Sequence, residues 1–234
     1  DQRGATDLAA LWSALARLVV IVGLASLVAS FATQWLPQLD ELYKIAFYDD
    51  PDIPAYAIRV SRDGTETEIT GGFKYGLADD FAAVARTAPH LKVVRLDSAG
   101  GRLGEGEKLF TLIRDLGLNT YVSSKCYSAC TLAFAGGRAR ILRRGASLGF
   151  HKAEFPGVSE NEFDSFQYRV FSAAGFDDAF IARALATPHR DLWTPSPDAL
   201  LAARVVTAVV DAGRTGPPPP AGSAAGPGHV LAAK

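Results

Sequence analysis

The stretch Lys125–Cys130 (KCYSAC) lies inside the segment that decides the fold, Val93–His151. Upstream of it, Asp97–Gly101 (DSAGG) ends one apolar run, and downstream Leu148–His151 (LGFH) ends another. A glycine pair that closes a strand, a serine that opens a helix and a histidine that closes another strand are together the parts of an acyl-transfer site. The segment therefore predicts an α/β fold that carries a hydrolytic site.

Short branched runs alternate with amphipathic stretches on both sides of this segment. Such alternation predicts a mostly parallel sheet with crossover helices. The predicted strands are Ile53–Val60, Glu66–Thr70, Val93–Leu96, Thr120–Ser123, Ala139–Leu142 and Ser147–Phe150. The predicted helices are Leu77–Thr87, Glu105–Leu116, Ser128–Ala135, Phe163–Ala173, Asp177–Ala186 and Asp198–Ala203.

Composition narrows the class of protein. A chain of 234 residues, 48% hydrophobic and 21% charged, can bury one sizeable core. A formal net charge of −1 gives no support for a nucleic-acid partner. The two cysteines exclude a disulfide-rich scaffold and a four-thiolate zinc site. Because no metal-ligand cluster is visible in the sequence, we expect neither a metal nor a cofactor.

The N-terminal part contains an uncharged run at residues 18–36. As a helix it would be roughly 28 Å long, close to the hydrocarbon thickness of a bilayer. Arg3 and Arg17 precede the run and acidic residues follow it, which predicts a cytoplasmic N-terminus and a main domain on the other side of the membrane. The alternatives are a signal peptide cleaved near Val28–Ser30 and a buried helix.

Changes in composition predict the domain boundaries. Residues 1–37 form the N-terminal segment with its anchor, 38–52 a linker, and 53–211 the α/β domain. Residues 212–234 are rich in proline, glycine and alanine, and we predict that they are disordered.

The serine and the glycine pair each have a functional and a structural interpretation. Ser128 follows a strand and opens a helix, which exposes its hydroxyl and directs the Ala129 N–H toward the group under attack. A plain helix N-cap would use the same residue type. Gly100–Gly101 would bring backbone N–H groups up to a ligand as half of an oxyanion hole. The structural alternative is a simple strand-to-helix turn.

His151 is the histidine that ends a predicted strand, and it is the candidate general base. A histidine base needs an orienting carboxylate, for which the spacing leaves four candidates: Asp164, Asp177, Asp178 and Asp191. Either Lys125 or Lys152 would serve as the base in a Ser-Lys arrangement instead.

Cys126 and Cys130 flank the serine. Outside the cytoplasm they could form a disulfide, because their separation is near the workable Cα limit of roughly 7 Å. They could equally be two small buried residues. A cysteine nucleophile is the third interpretation.

The three motifs, in this order, resemble the proteolytic subunit of Clp protease and the wider Clp/crotonase superfamily. They are most similar to its membrane-anchored, periplasmic bacterial branch. The resemblance implies a Clp/crotonase-like spiral of β-β-α units, joined here to an N-terminal transmembrane helix, and a homo-oligomer. It also implies roles for individual residues. Ser128 matches the nucleophile, His151 the base, Gly101 and Ala129 the oxyanion donors, and Asp191 the third member of the triad.

The sequence and the resemblance together lead to one main expectation and two alternatives. The main expectation is a serine peptidase anchored in a bacterial inner membrane, with a periplasmic domain that acts on a peptide or protein substrate. A catalytically silent Clp-like domain that binds a peptide or protein partner at the membrane is the first alternative. A crotonase-type enzyme that handles a thioester is the second, although an extracytoplasmic location separates it from coenzyme A.

Overall fold

The computed structural model describes residues 2–36, 38–39, 42–43, 51–153 and 160–211. The chain divides into two compact units. One consists of Asp1–Asp52 with Glu154–Phe163, and the other of Ile53–Ala153 with Asp164–Lys234. The second unit contains the predicted α/β domain. The predicted tail and most of the predicted linker lie outside the described residues.

The N-terminal unit contains helix α1, Gln2–Ser30, which continues as a π-helix over Phe31–Trp35. The section Leu11–Trp35 has a mean hydropathy of 2.2 and is long and apolar enough to cross a membrane. Its large apolar side chains are exposed, so the structure gives no support to the interpretation as a buried core helix. The predicted apolar helix is present, and it begins earlier than the uncharged run because the alanine- and leucine-rich sequence before residue 18 also favours helix.

The described residues form one sheet of seven strands. These are β1 Tyr56–Val60, β2 Glu66–Gly71, β3 Val93–Ser98, β4 Asn119–Tyr127, β5 Arg140–Arg143, β6 Ser147–Gly149 and β7 Ala208–Val210. The strand order is β1-β2-β3-β4-β5-β7, with β6 paired to β4. Only the β1–β2 hairpin is antiparallel among these pairings. The prediction of a mostly parallel sheet is confirmed.

Six helices follow β2 in the described part of the chain. They are α2 Leu77–Thr87, α3 Leu103–Asp115, α4 Ala129–Ala135, α5 Glu160–Ala173, α6 Asp178–Leu185 and α7 Pro197–Ala202. The first four residues of α5 belong to the first unit. Helix α4 is buried along its whole length, which explains its small and apolar composition. Helix α3 passes so close that a Cβ on Gly106 would lie 2.5 Å from the Ala129 carbonyl oxygen. The core of the domain therefore surrounds the helix that follows Ser128.

Strand β4 is longer than its apolar pattern predicts, and its length positions the candidate site. Its first half pairs with β5, from Thr120 opposite Arg140 to Val122 opposite Leu142. Its second half pairs with β6, with Tyr127 opposite Gly149. Strand β4 thus pairs first with β5 and then with β6, and it ends directly before Ser128.

Candidate functional site

The Ser128 backbone adopts a conformation that is rare for residues other than glycine. Its φ is 54° and its ψ −128°. Among the described residues that are not glycine, only Ser128 and Arg204 have a positive φ. Such a conformation costs on the order of 1–3 kcal/mol and is found where the surrounding structure enforces it. A strained turn between a strand and a helix is the position that a hydrolase nucleophile occupies in a nucleophile elbow, and the role of Ser128 as nucleophile stays a prediction.

The nucleophile turn, Cys126–Cys130, is held by bonds on both sides of the serine. The Ser128 N–H donates to the Gly149 carbonyl at 2.9 Å. The Ser128 carbonyl accepts from the Thr131 N–H at 2.8 Å and from the Thr131 hydroxyl at 2.7 Å. Cys126 and Cys130, both fully buried, form a disulfide with their Cα atoms 5.3 Å apart. The disulfide leaves neither cysteine as a free thiol, so a cysteine nucleophile is not available in this state.

The glycine pair packs directly against the nucleophile turn. A Cβ on Gly100 would lie 2.7 Å from both the Ser128 Cβ and the Tyr127 carbonyl oxygen, so only glycine fits. The Gly100 carbonyl accepts from the Phe73 N–H at 2.8 Å, and the Phe73 carbonyl accepts from the Arg102 N–H at 2.7 Å. These two bonds fix the backbone on both sides of Gly101.

Two backbone donors next to the serine have no acceptor within the described residues. They are the N–H groups of Gly101 and Ala129. Ala129 is the first residue of α4, where helix geometry leaves the N–H groups of the first turn unpaired. An oxyanion hole needs two such donors beside the nucleophile, and the assignment of Gly101 and Ala129 to one stays a prediction.

His151 lies at the end of the strand next to the serine. Because β4 and β6 run parallel with Tyr127 opposite Gly149, the residues that follow each strand emerge at the same edge of the sheet. His151 is 9% exposed, and its Nδ1 lies 2.8 Å from the Lys152 carbonyl oxygen. A carbonyl only accepts, so we assign the proton to Nδ1, which leaves the lone pair of the neutral ring on Nε2. A general base needs this tautomer.

Burial has the largest effect on the titration of His151. It lowers the pKa of the imidazole below 6.5, and the hydrogen bond to Lys152 opposes this shift. The nearby His189 lowers the pKa further, with its ring edge-on to His151 and the ring centroids 4.7 Å apart. The net shift is downward, so the ring is neutral, and able to accept a proton, at neutral pH.

The base segment, Phe150–Ala153, is held by the loop that follows α6. Phe150 and Trp193 exchange two backbone hydrogen bonds, at 2.9 and 3.0 Å. The Lys152 N–H donates to the Thr187 carbonyl at 2.9 Å. A buried side chain of α5, Gln167, also bonds to this segment. No local sequence pattern indicates the contacts of His189 and Gln167 with the base segment, because each contact joins residues that are not neighbours in the chain.

The four candidate carboxylates occupy different surroundings. Asp177 caps α6 by accepting from the N–H groups of Ala179 and Phe180 at 3.0 and 3.2 Å. Asp178 accepts from the Tyr168 hydroxyl at 3.2 Å. Asp191 is exposed, and its N–H donates to the Pro188 carbonyl at 2.9 Å. The side chain of Asp164 lies outside the described residues. The orienting role of Asp191 stays a prediction.

The lysine alternatives are also located. Lys125 is exposed on β4, directly before the nucleophile turn, and Lys152 supplies the carbonyl that faces His151. In the described part of the chain, no three His, Cys, Asp or Glu side chains form a group that could hold a metal ion.

Comparison with known proteins gives information on the fold. No protein-family model and no curated protein matches this sequence. Among solved structures, the chain is similar to ClpP1 from Listeria monocytogenes, with a TM-score of 0.55 and 14% identity over 64% of this chain and 92% of that one. A point mutant of that ClpP1 gives the same values. This chain has a ClpP-like α/β fold.

A second kind of structure is also similar, at a lower score. It is a mutant of 1510-N, a membrane-bound stomatin-specific protease, with a TM-score of 0.47 and 15% identity over 62% of this chain and 78% of that one. The ClpP1 likeness confirms the predicted fold class.

Proposed function

We propose that this protein is a membrane-anchored, extracytoplasmic serine hydrolase, most specifically a peptidase that acts on a peptide or protein substrate. The observation that carries the proposal is the strained Ser128 at the end of β4, beside the neighbouring strand end that leads to His151. A strained turn is maintained where the geometry of its side chain matters. The ClpP-like fold supports the reaction class.

The proposed mechanism uses residues of the nucleophile turn and the base segment. Ser128 Oγ attacks the carbonyl carbon while His151 Nε2 takes its proton, and His151 returns that proton to the departing amine. Water then hydrolyses the acyl-enzyme by the reverse use of the same groups. The N–H groups of Gly101 and Ala129 would donate to the oxyanion of each tetrahedral intermediate.

The third position of the triad remains part of the proposal. The Lys152 carbonyl orients the ring in this structure, although it lacks the full charge with which a carboxylate stabilises an imidazolium. Asp191 is the carboxylate proposed for that second role. It lies in the loop that packs on the base segment, four residues from the Thr187 carbonyl that binds Lys152.

Several features support the proposed location in a bacterial inner membrane. Arg17 precedes the uncharged run at residues 18–36, and Asp40 and Glu41 follow it, which is the charge bias of a helix with a cytoplasmic N-terminus. A buried disulfide is typical of proteins outside the cytoplasm. The boundaries at residues 37, 52 and 211, the periplasmic position of the domain and the homo-oligomer are proposed with it.

A silent domain that binds a peptide or protein is the second candidate function. It is favoured by one observation: the Nδ1 of His151 faces a carbonyl, while the proposed carboxylate of Asp191 is exposed. Without a charged partner the imidazolium is less stable, and catalysis is weaker.

Labelling with a fluorophosphonate separates the two functions. We expect wild-type protein to be labelled at Ser128 and the Ser128→Ala variant to lose labelling and on the order of 10⁴ or more in hydrolytic rate. Ser124→Ala is the matched control, because Ser124 is exposed on the same strand. Full activity in Ser128→Ala would contradict the mechanism. Saturable peptide binding by a wild type that is never labelled would establish the silent domain instead.

A further inference from the structure

Gln167 on α5 is 4% exposed, and both polar atoms of its side-chain amide are hydrogen-bonded to the base segment. Its Nε2 donates to the His151 carbonyl at 3.2 Å. Its Oε1 accepts from the Ala153 N–H at 2.7 Å. The amide therefore bonds to the backbone immediately before and immediately after Lys152.

The position of Gln167 in the core makes these bonds informative. Its neighbours on the same helix, Val170 and Phe171, are buried apolar residues of the core. An amide in such surroundings is unfavourable unless its polar atoms are hydrogen-bonded. An apolar side chain would fill this position without that requirement. Both hydrogen bonds of the amide go to one short backbone segment. Compared with an apolar side chain, the amide therefore contributes the fixing of this segment.

The segment that Gln167 fixes contains the acceptor for the His151 ring. The Lys152 N–H is held by the Thr187 carbonyl at 2.9 Å, and the backbone on either side is held by Gln167. With these bonds in place, the Lys152 carbonyl lies 2.8 Å from His151 Nδ1. A hydrogen bond at one ring nitrogen determines which tautomer is present and how the ring is oriented.

We propose that Gln167 is a positioning residue that holds the Lys152 carbonyl against His151 Nδ1 and so keeps Nε2 free to accept a proton. Its significance for catalysis rests on the proposed function, since it matters there only if His151 is the base. The effect on the ring itself does not rest on that function. It can be measured whether or not the protein is an enzyme.

Two variants test this role in different ways. Gln167→Met has a similar length and shape and makes neither hydrogen bond. Gln167→Glu keeps an acceptor for the Ala153 N–H in both protonation states, but it can donate to the His151 carbonyl only when protonated. Burial raises the pKa of such a carboxyl, which brings its titration toward neutral pH. Tyr168→Phe is the matched control, because it removes a hydrogen bond of the same helix to Asp178, away from the base segment.

The first measurement is nitrogen NMR of the His151 imidazole in the intact protein, followed over pH. We expect the wild type and Tyr168→Phe to show the neutral ring with its proton on Nδ1. Gln167→Met should show a mixture of tautomers, and Gln167→Glu should change from the wild-type pattern to the mixed one as its carboxyl ionises. The His189 ring lies edge-on to the His151 ring, so the series is repeated with His189→Gln in each background to separate the signals of the two rings.

The second measurement is the rate of fluorophosphonate labelling. We expect Gln167→Met to react on the order of 10- to 100-fold more slowly than Tyr168→Phe, the scale of loss for a displaced catalytic group. Thermal unfolding of each variant confirms that it is folded under the assay conditions. A purely structural role would lower the melting temperature in both Gln167 variants and leave the tautomer unchanged, and that result would overturn the proposal.

The outcomes separate this inference from the proposed function. If the wild type is not labelled but the His151 tautomer differs between the wild type and Gln167→Met, the hydrolase proposal is wrong and the positioning role is correct. If the wild type is labelled and all variants keep the same tautomer and rate, the hydrolase stands and the positioning role is wrong.

Discussion

The nucleophile turn and the base segment are built in different ways, although they meet at one edge of the sheet. The nucleophile turn is held by a disulfide within the turn, by close packing against the Gly100 backbone and by hydrogen bonds of Ser128 to Gly149 and Thr131. The base segment is held from a distance, by Gln167 on α5 and by the loop at residues 187–193. A short covalent ring and close backbone packing hold Ser128, whereas side-chain and loop hydrogen bonds orient the His151 ring.

This difference predicts how substitutions in each part affect stability and activity. Damage to the nucleophile turn should reduce stability together with activity, because the turn is strained and lies in the core. Damage to the base segment should reduce activity with a smaller loss of stability, because its bonds tune the orientation of one ring. The following changes test this contrast.

Replacing Gly100 should have the largest effect. In Gly100→Ala, the new Cβ would lie 2.7 Å from Ser128 Cβ at a φ of 99°, so the nucleophile turn must move. We expect a loss of about 2–4 kcal/mol in the free energy of unfolding and little remaining labelling of Ser128. Gly104→Ala is the control, because nothing lies within 4 Å of its Cβ and its position in α3 favours alanine. Denaturant unfolding and labelling measure the two effects, and wild-type behaviour in Gly100→Ala would contradict the close approach.

Removing the disulfide should have the next largest effect. In the Cys126→Ser, Cys130→Ser double variant, we expect a loss of about 2 kcal/mol, the scale for a ring this short. Labelling should slow as well, because the ring encloses Ser128. Denaturant unfolding is measured with and without reductant. The wild type should respond to reductant and the double variant should not, so an equal response in both would exclude the disulfide as the cause.

The pH dependence of activity should reflect the surroundings of His151. Its pKa is lowered chiefly by burial, and only the neutral ring accepts a proton. As the pH falls, activity should therefore persist below 6.5 and then decline at the lowered pKa. The pH profile of the fluorophosphonate labelling rate measures this midpoint. A midpoint above 6.5 would indicate a carboxylate close to the ring, as in a charged Asp–His pair.

Asp191→Asn should have the smallest effect if the Lys152 carbonyl alone orients the ring. The side chain is exposed and no strain or packing depends on it, so stability should change by less than about 0.5 kcal/mol. Labelling should stay within about threefold of the wild type under this arrangement, whereas a working Asp in a triad contributes about 10⁴. Asp198→Asn, also exposed, is the control. A large loss confined to Asp191→Asn would assign it the third position.

The sequence predicted the parts of the fold that depend on local pattern. The apolar spacing of Leu77–Thr87 gave a helix with those bounds, and the branched run at Val93 gave β3. The second half of β4 was missed, because Ser124 and Lys125 are polar and the strand pairs there with β6 rather than β5. Strand β7 was missed because its three residues carry too little pattern.

The candidate site also has features that local sequence patterns predict and features that they do not. Ser128 at a strand-to-helix junction could be recognised, because the junction, the flanking cysteines and the glycine pair are all visible in the sequence. The positive φ of Ser128 could not, since it is set by contacts with Gly100 and Gly149. The roles of the Lys152 carbonyl and of Gln167 could not be predicted either. Every residue has a backbone carbonyl, so the residue type does not mark this acceptor, and a hydrogen bond between α5 and the base segment leaves no periodic pattern in the sequence.

The backbone of Ser128 also bears on how this chain could diverge. Glycine adopts a positive φ readily, so a lineage that had lost any need for the hydroxyl would gain stability by replacing the serine, by about 1 kcal/mol or more. Stability alone therefore favours glycine over serine at this position, and a serine here is what a use for the hydroxyl would predict.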